Sequence, residues 1–213
     1  MISSASSDLR KLRDFIYEHL TENIIPFWLR HAIDPDGGIN TCINDDGTLI
    51  NRDKWLWSQW RSVWVYSKLY NAIEKKQEWL DTARNIEAFT ERYGWDKEVG
   101  GWVLRVSHDG KILNGCESIY TDAFAIYGLN ELAIASGDSR YSDLACKTAE
   151  RAMDRLKSPH DQIPHFPYPI PKGARVHGIP MNYCLSFWEL GRNLGEPRYL
   201  DVAKEMVEDI FTH

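Results

Sequence analysis

A single cation set among indoles is the most chemically pointed feature of this chain. In Trp55-Leu56-Trp57-Ser58-Gln59-Trp60-Arg61-Ser62-Val63-Trp64, Arg61 follows Trp57 by four residues and precedes Trp64 by three. On a helix these three side chains share one face. A guanidinium flanked by indoles suits a site that stacks a sugar ring and holds an oxygen anion. The competing reading is an arginine whose stem packs on a tryptophan-rich core while its head reaches solvent or a carboxylate.

The titratable residues divide by context. His19 and His31 fall near the first helix and are expected at the surface, and His108 belongs to a turn beside Asp109-Gly110. His160 and His213 stand in contexts that suggest no role. His165 lies at the start of the proline-rich run Pro164-His165-Phe166-Pro167-Tyr168-Pro169-Ile170-Pro171, and His177 follows it at the start of an apolar helix. Histidine is the side chain most readily poised near neutral pH, so these two are candidates for touching a substrate. Glu117 and Asp122 flank Tyr120, and a glycoside hydrolase or lyase would need two such carboxyls opposed across a pocket. Their plainer readings are a helix-dipole partner for Glu117 and a solvated Asp122. No His/Cys/Asp spacing matches a zinc site, and no glycine-rich loop suits a phosphate, so neither metal nor required cofactor is expected.

The elements that must carry these residues are helical. Leu9, Leu12, Phe15, Ile16, Leu20, Ile24 and Ile25 mark an amphipathic helix over 8–30, which Pro26 should kink or interrupt. A small hairpin is expected between Asp34-Pro35-Asp36-Gly37-Gly38 and Asn44-Asp45-Asp46-Gly47. The tryptophan-rich helix follows at about 54–74, and a one-faced helix at about 77–93. Then the pattern returns. Gly100-Gly101-Trp102 and Asp109-Gly110 repeat Gly37-Gly38 and Asp46-Gly47, ahead of an apolar helix from Ile119 to Ala135 and an amphipathic one at about 139–157. Gly137-Asp138-Ser139-Arg140-Tyr141 recurs as Gly195-Glu196-Pro197-Arg198-Tyr199. A period near 60 residues, each unit an apolar helix then an amphipathic one, predicts stacked helical hairpins in two concentric layers: an all-α toroid with short hairpins in its loops. Inner-helix N-termini would line the pocket, with Arg61, Phe124 and Asn182 at equivalent positions. The whole of 1–213 is expected to be one domain.

Composition narrows the partners. With Lys plus Arg at 25 and Asp plus Glu at 31, the net charge of −6 argues against nucleic acid or anionic membrane as the main partner. No apolar run reaches the length of a membrane span, and residues 1–7 lack the pattern of a signal peptide. Cys42, Cys116, Cys146 and Cys184 are scattered, so buried reduced thiols in a cytoplasmic protein are expected.

Trp57-x-Gln59-x-Arg61-x-Val63-Trp64-x-Tyr66-x-x-Leu69-Tyr70, Gly100-Gly101-Trp102 leading to Ser118-Ile119-Tyr120, and Ile179-Pro180-Met181 with Glu189-Leu190-Gly191 together resemble the N-acylglucosamine 2-epimerase family. The resemblance spans about residues 10–213 and implies an (α/α)6 barrel. It implies a sugar 2-epimerase that interconverts N-acylglucosamine and N-acylmannosamine, or a related aldose, through an enediolate. It makes Arg61 the cation near the carbonyl oxygen and places Trp57, Gln59 and Tyr120 about the substrate, while Glu117, His177 and Asn182 join them as candidates by their positions at the expected pocket mouth. The Pro-Met pair resembles the N-acetylglucosamine epimerases, and Asn182 departs from the His-x-His element of the cellobiose epimerases. Glu117 departs from the basic residue that relatives often carry there. The resemblance further implies a homodimer, possible activation by ATP, and two acid/base histidines in later repeats. With about seven of twelve helices in the sequence, it is expected to be the N-terminal portion of a longer chain, or else a shortened relative that pairs to complete its ring. A hydrolase on the same barrel and a non-catalytic sugar-binding protein are the alternatives.

Overall fold

The computed structural model describes residues 2–212, with side chains from residue 8 onward. Met1, His213 and the side chains of residues 2–7 lie outside, and with them the reading of residues 1–7. Helix α1 (Ile2–Glu18) passes through π-helical turns at His19–Ile24 into α2 (Ile25–His31). Pro26 has no N–H to donate and its ring would strike a carbonyl one turn back; the wider π turns before it absorb both. The arm is therefore continuous instead of interrupted.

Strands β1 (Cys42–Ile43) and β2 (Leu49–Asn51) pair around the Asn44–Thr48 turn, a few residues later than the expected hairpin. Lys54 and Trp55, expected to open the tryptophan-rich helix, instead form strand β3 (Lys54–Trp55). The reason is tertiary. After α3 (Leu56–Ala72) and α4 (Gln77–Gly94), β4 (Trp95–Asp96) pairs with β5 (Gly101–Trp102), and β6 (Arg105–Val106) pairs with both β3 and β7 (Ile112–Asn114). Leu56 N–H also donates to the Leu104 carbonyl, so the loop of the second repeat captures the start of α3. Helices α5 (Ile119–Ser136), α6 (Ser139–Leu156), α7 (Gly178–Leu194) and α8 (Pro197–Thr212) complete the chain.

The two-layer expectation holds. The apolar helices α3, α5 and α7 stand in a row, and α4, α6 and α8 pack behind them, each against its preceding inner helix. Counting α1–α2 as one arm, the described residues form seven helical arms. One core runs through the array, with Trp60, Trp79, Trp102, Tyr183, Phe187 and Tyr199 fully buried. Each such side chain contributes about 1.5–3 kcal/mol of burial. Gly128 explains the close α3–α5 contact, since a Cβ there would sit 2.5 Å from the Trp60 carbonyl oxygen. All four cysteines are unpaired and half-buried, not fully buried as expected. Among the described residues no helix is long and apolar enough to cross a membrane.

The loop before α3 is built on a buried charge cluster. Lys54 and Asp34, both with fully buried side chains, meet at 2.7 Å, while Arg52 reaches Asp34 and Asp36 and Lys54 also donates to Asn40. Burial alone would raise the Asp34 carboxyl, but hydrogen bonds from Arg52 and Lys54 hold it well below the usual carboxylate range. Burial pulls Lys54 below the ordinary lysine value, and the Asp34 contact opposes it. Breaking a buried pair by removing one partner costs about 3–5 kcal/mol. Lys54→Met is therefore expected to lower stability by about 3 kcal/mol in urea unfolding, Arg52 retaining part of the contact. A loss under about 1 kcal/mol would show that the cluster does not hold the loop.

Candidate functional site

The N-terminal halves of the inner helices gather most of the residues singled out in the sequence. Arg61 is exposed and lies over the Phe124 ring at 4.5 Å from its centroid. Among the described residues no carboxylate or hydrogen-bond acceptor holds its guanidinium. The ring lies against the cation without supplying a hydrogen-bond acceptor, so its N–H donors are left for a planar or oxyanionic ligand. Of the competing reading, the carboxylate partner is absent among the described residues, while the exposed head does reach solvent, as that reading also allows. One turn along, Trp64 stacks on Tyr127 at 4.7 Å and 15°. One turn before, Trp57 stacks on Trp55 at 5.5 Å and 16°, and Phe166 of the proline-rich loop closes on both. All these rings are half-buried, so each keeps an accessible face or edge.

Tyr120 opens α5, one turn before Phe124. Its hydroxyl lies 3.2 Å from His165 Nε2, and His165 Nδ1 lies 2.9 Å from the Tyr168 carbonyl oxygen. Burial raises the Tyr120 phenol above its ordinary value, which keeps it protonated. The Pro164 carbonyl accepts from Ile119 N–H and ties the proline-rich loop to the start of α5. Two side-chain bonds that the sequence did not flag fix α7 against α5: Tyr183 Oη donates to the Ile119 carbonyl at 2.7 Å, and Ser186 Oγ to the Ala123 carbonyl at 2.9 Å. Gly178 lets α7 begin directly against Tyr120, since a Cβ there would meet the phenol oxygen at 2.7 Å.

Other expected residues are placed elsewhere or otherwise employed. Gln59 is fully buried and does not face a ligand: its Oε1 accepts from Ile39 N–H and its Nε2 donates to the Ile39 carbonyl, both at 2.8 Å. It acts as a missing strand partner for the loop. Glu117 is exposed, and its carboxylate accepts from Asn114 Nδ2 and Gly115 N–H, closing the loop before α5. Asp122 is not solvated: it is 1% exposed, paired with Arg155 at 2.6 Å and bonded to Trp102 N–H. Asn182 is half-buried, and its Nδ2 donates back to the Gly178 carbonyl. His177 is exposed and lines a separate recess with His160, Arg175 and Asp209. Among the described residues no group of three or more His, Cys, Asp or Glu side chains is placed to hold a metal.

The model of the N-acylglucosamine 2-epimerase (GlcNAc 2-epimerase) family matches residues 37–213. The chain belongs to this family. It is 31% identical to the N-acylglucosamine 2-epimerase of Mus musculus over 142 residues, 64% of this chain and 33% of that protein. It is 28% identical to the cellobiose 2-epimerase of Dictyoglomus turgidum over 220 residues, 95% of this chain and 54% of that one. The solved cellobiose 2-epimerase from Spirochaeta thermophila superposes with a TM-score of 0.85 at 25% identity, covering 97% of this chain and 55% of that structure. The chain thus spans a third to about half the length of these epimerase relatives, and its helices form part of an (α/α)6 barrel.

Gln59 provides a test of how the site is supported. Gln59→Ala leaves both Ile39 backbone groups buried and unpaired, at about 1–3 kcal/mol for the lost pairing. The expected result is a loss of about 2 kcal/mol in stability and faster amide exchange at Ile39, read by NMR. Unchanged exchange at Ile39 would contradict the role assigned to Gln59.

Proposed function

We propose that the chain supplies the substrate-holding part of a carbohydrate 2-epimerase that interconverts N-acylglucosamine and N-acylmannosamine or a related aldose. The observation that carries this reading is Arg61: a cation free of protein anions among the described residues, perched on Phe124 in an aromatic-lined face. Epimerisation at C2 removes a proton α to the open-chain carbonyl and returns it to the other face. The intermediate enediolate needs a cation at its oxygen, and Arg61 is the group that supplies it. Trp57, Trp64 and Tyr127 offer ring faces and edges to the carbon skeleton, and Tyr120 faces one of its polar groups. Asn182 has its side-chain oxygen left for a sugar hydroxyl. The resemblance puts the two acid/base histidines in later repeats, so Arg61 is the only catalytic role assigned to this chain. Relatives named for N-acylglucosamine and for cellobiose match with similar identity, and the choice of the acylated sugar rests on Pro180-Met181 and on Asn182. The proposal includes a homodimer, on the resemblance, and a cytoplasmic location, on the four unpaired cysteines.

The hydrolase alternative is weakened by where its two carboxyls go. Asp122 is committed to Arg155 and Glu117 to the loop before α5, so they do not oppose one another across a pocket.

Incubating the intact natural protein with N-acetylglucosamine in heavy water separates the readings. Deuterium at C2 is expected, and Arg61→Ala should lower the exchange rate about 10²–10³-fold, the cost of losing one group that stabilises an oxyanion. Sugar binding without C2 exchange would favour the non-catalytic alternative, and hydrolysis of a glycoside without exchange the hydrolase.

A further inference from the structure

The Tyr120–His165 pair has a fixed polarity. A carbonyl oxygen can only accept, so the 2.9 Å contact between His165 Nδ1 and the Tyr168 carbonyl requires a proton on Nδ1. In the neutral imidazole Nε2 is then bare and can only accept. The Tyr120 hydroxyl, 3.2 Å away, must therefore be the donor. The rings meet edge-on, with centroids 5.3 Å apart at 69°, which suits a phenol pointing at a ring nitrogen. The loop that carries His165 is held at both ends of this contact, by Ile119 N–H on the Pro164 carbonyl and by Phe166 against Trp55 and Trp57.

A phenol has one proton. With it committed to His165, the Tyr120 oxygen shows only lone pairs to the site, one helical turn from the ring on which Arg61 rests. We propose that His165 is a specificity-determining residue, which makes Tyr120 an obligate acceptor and so selects sugars that present a hydroxyl or amide N–H at that point. A substituent that can only accept meets lone pair against lone pair and is rejected. His165 acts through Tyr120 and need not touch the sugar, so it is a positioning residue. This inference rests on the sugar-binding reading above, but its hydrogen-bond polarity does not.

The test has two parts on the intact natural protein. First, ¹⁵N NMR of His165 at mildly alkaline pH, without sugar, should show a protonated Nδ1 and a bare Nε2; a proton on Nε2 overturns the proposal. Second, affinities are measured for glucose and for its mono-deoxy and mono-deoxyfluoro analogues at each ring position. At one position the fluoro analogue should bind more weakly than the deoxy analogue, on the order of tenfold, from the cost of a buried mismatched acceptor. In His165→Leu the phenol proton is released and that order should reverse, while Tyr120→Phe should abolish the difference. The same order in wild type and His165→Leu overturns the proposal. Failure of every sugar to bind, with the tautomer as expected, overturns the sugar reading and the specificity role with it, and leaves the polarity of the pair standing.

Discussion

The Lys54–Asp34 pair is the contact on which the placement of Arg61 depends. Two opposite charges with no exposed side-chain surface cannot separate without leaving one of them uncompensated in the core. Asp34 belongs to the loop after α2 and Lys54 to the strand that runs directly into α3, so the pair fixes where α3 begins. Such pairs add little net stability over an apolar substitute, and their worth lies in specifying one arrangement. Here the arrangement is reinforced by Gln59, which joins α3 to Ile39, and by β6, which takes β3 into a ladder with the second repeat. Arg61 sits less than two turns after Lys54's strand. An error in the start of α3 would rotate it off Phe124.

What the pair positions is a cation with no hydrogen-bond acceptor among the described residues. Arginine over an aromatic ring gains about 0.5–2 kcal/mol, depending on how dry the contact is, and spends no hydrogen-bond donor on it. A carboxylate partner would use up those donors. Elsewhere in the fold the cations that touch buried acids do have such partners: Arg155 on Asp122, Arg140 on Glu87 and Lys68 on Glu131. Arg92 over Tyr93 and Arg192 over Trp188 share the aromatic partner, but both lie in the last turn of their helices, whereas Arg61 lies near the start of an inner one. The aromatic residues around it belong to the first two inner helices and the proline-rich loop, so the site is assembled from several repeats, each contributing a different chemistry.

The helices and their layering were legible because a buried inner helix and a one-faced outer helix leave different hydrophobic periods, and the period recurs. Arg61 and Tyr120 stand out in the sequence for a related reason: both lie near the start of an apolar helix, where a lone polar residue is conspicuous. The misplacements share a physical cause. Local pattern places Gln59, Asp122 and Lys54, but each answers to a partner 14 to 33 residues away, Ile39, Arg155, Asp34 and Asn40. Local spacing carries no record of such a partner. Tyr183 and Ser186 went unnoticed because a tyrosine or serine on an apolar helix reads as core filler until the carbonyl it reaches is known. His165 was distinguished only by its proline-rich setting, and nothing in the sequence paired it with Tyr120.

The measurement that bears most directly on this account is a crystal structure of the intact natural protein with glucitol, an open-chain polyol that resembles a ring-opened aldose. The account places one terminal oxygen pair of the polyol about 3 Å from the Arg61 guanidinium, with that group still stacked on Phe124. Glucitol bound away from the inner-helix N-termini, or Arg61 swung from Phe124 onto a protein carboxylate, would contradict it.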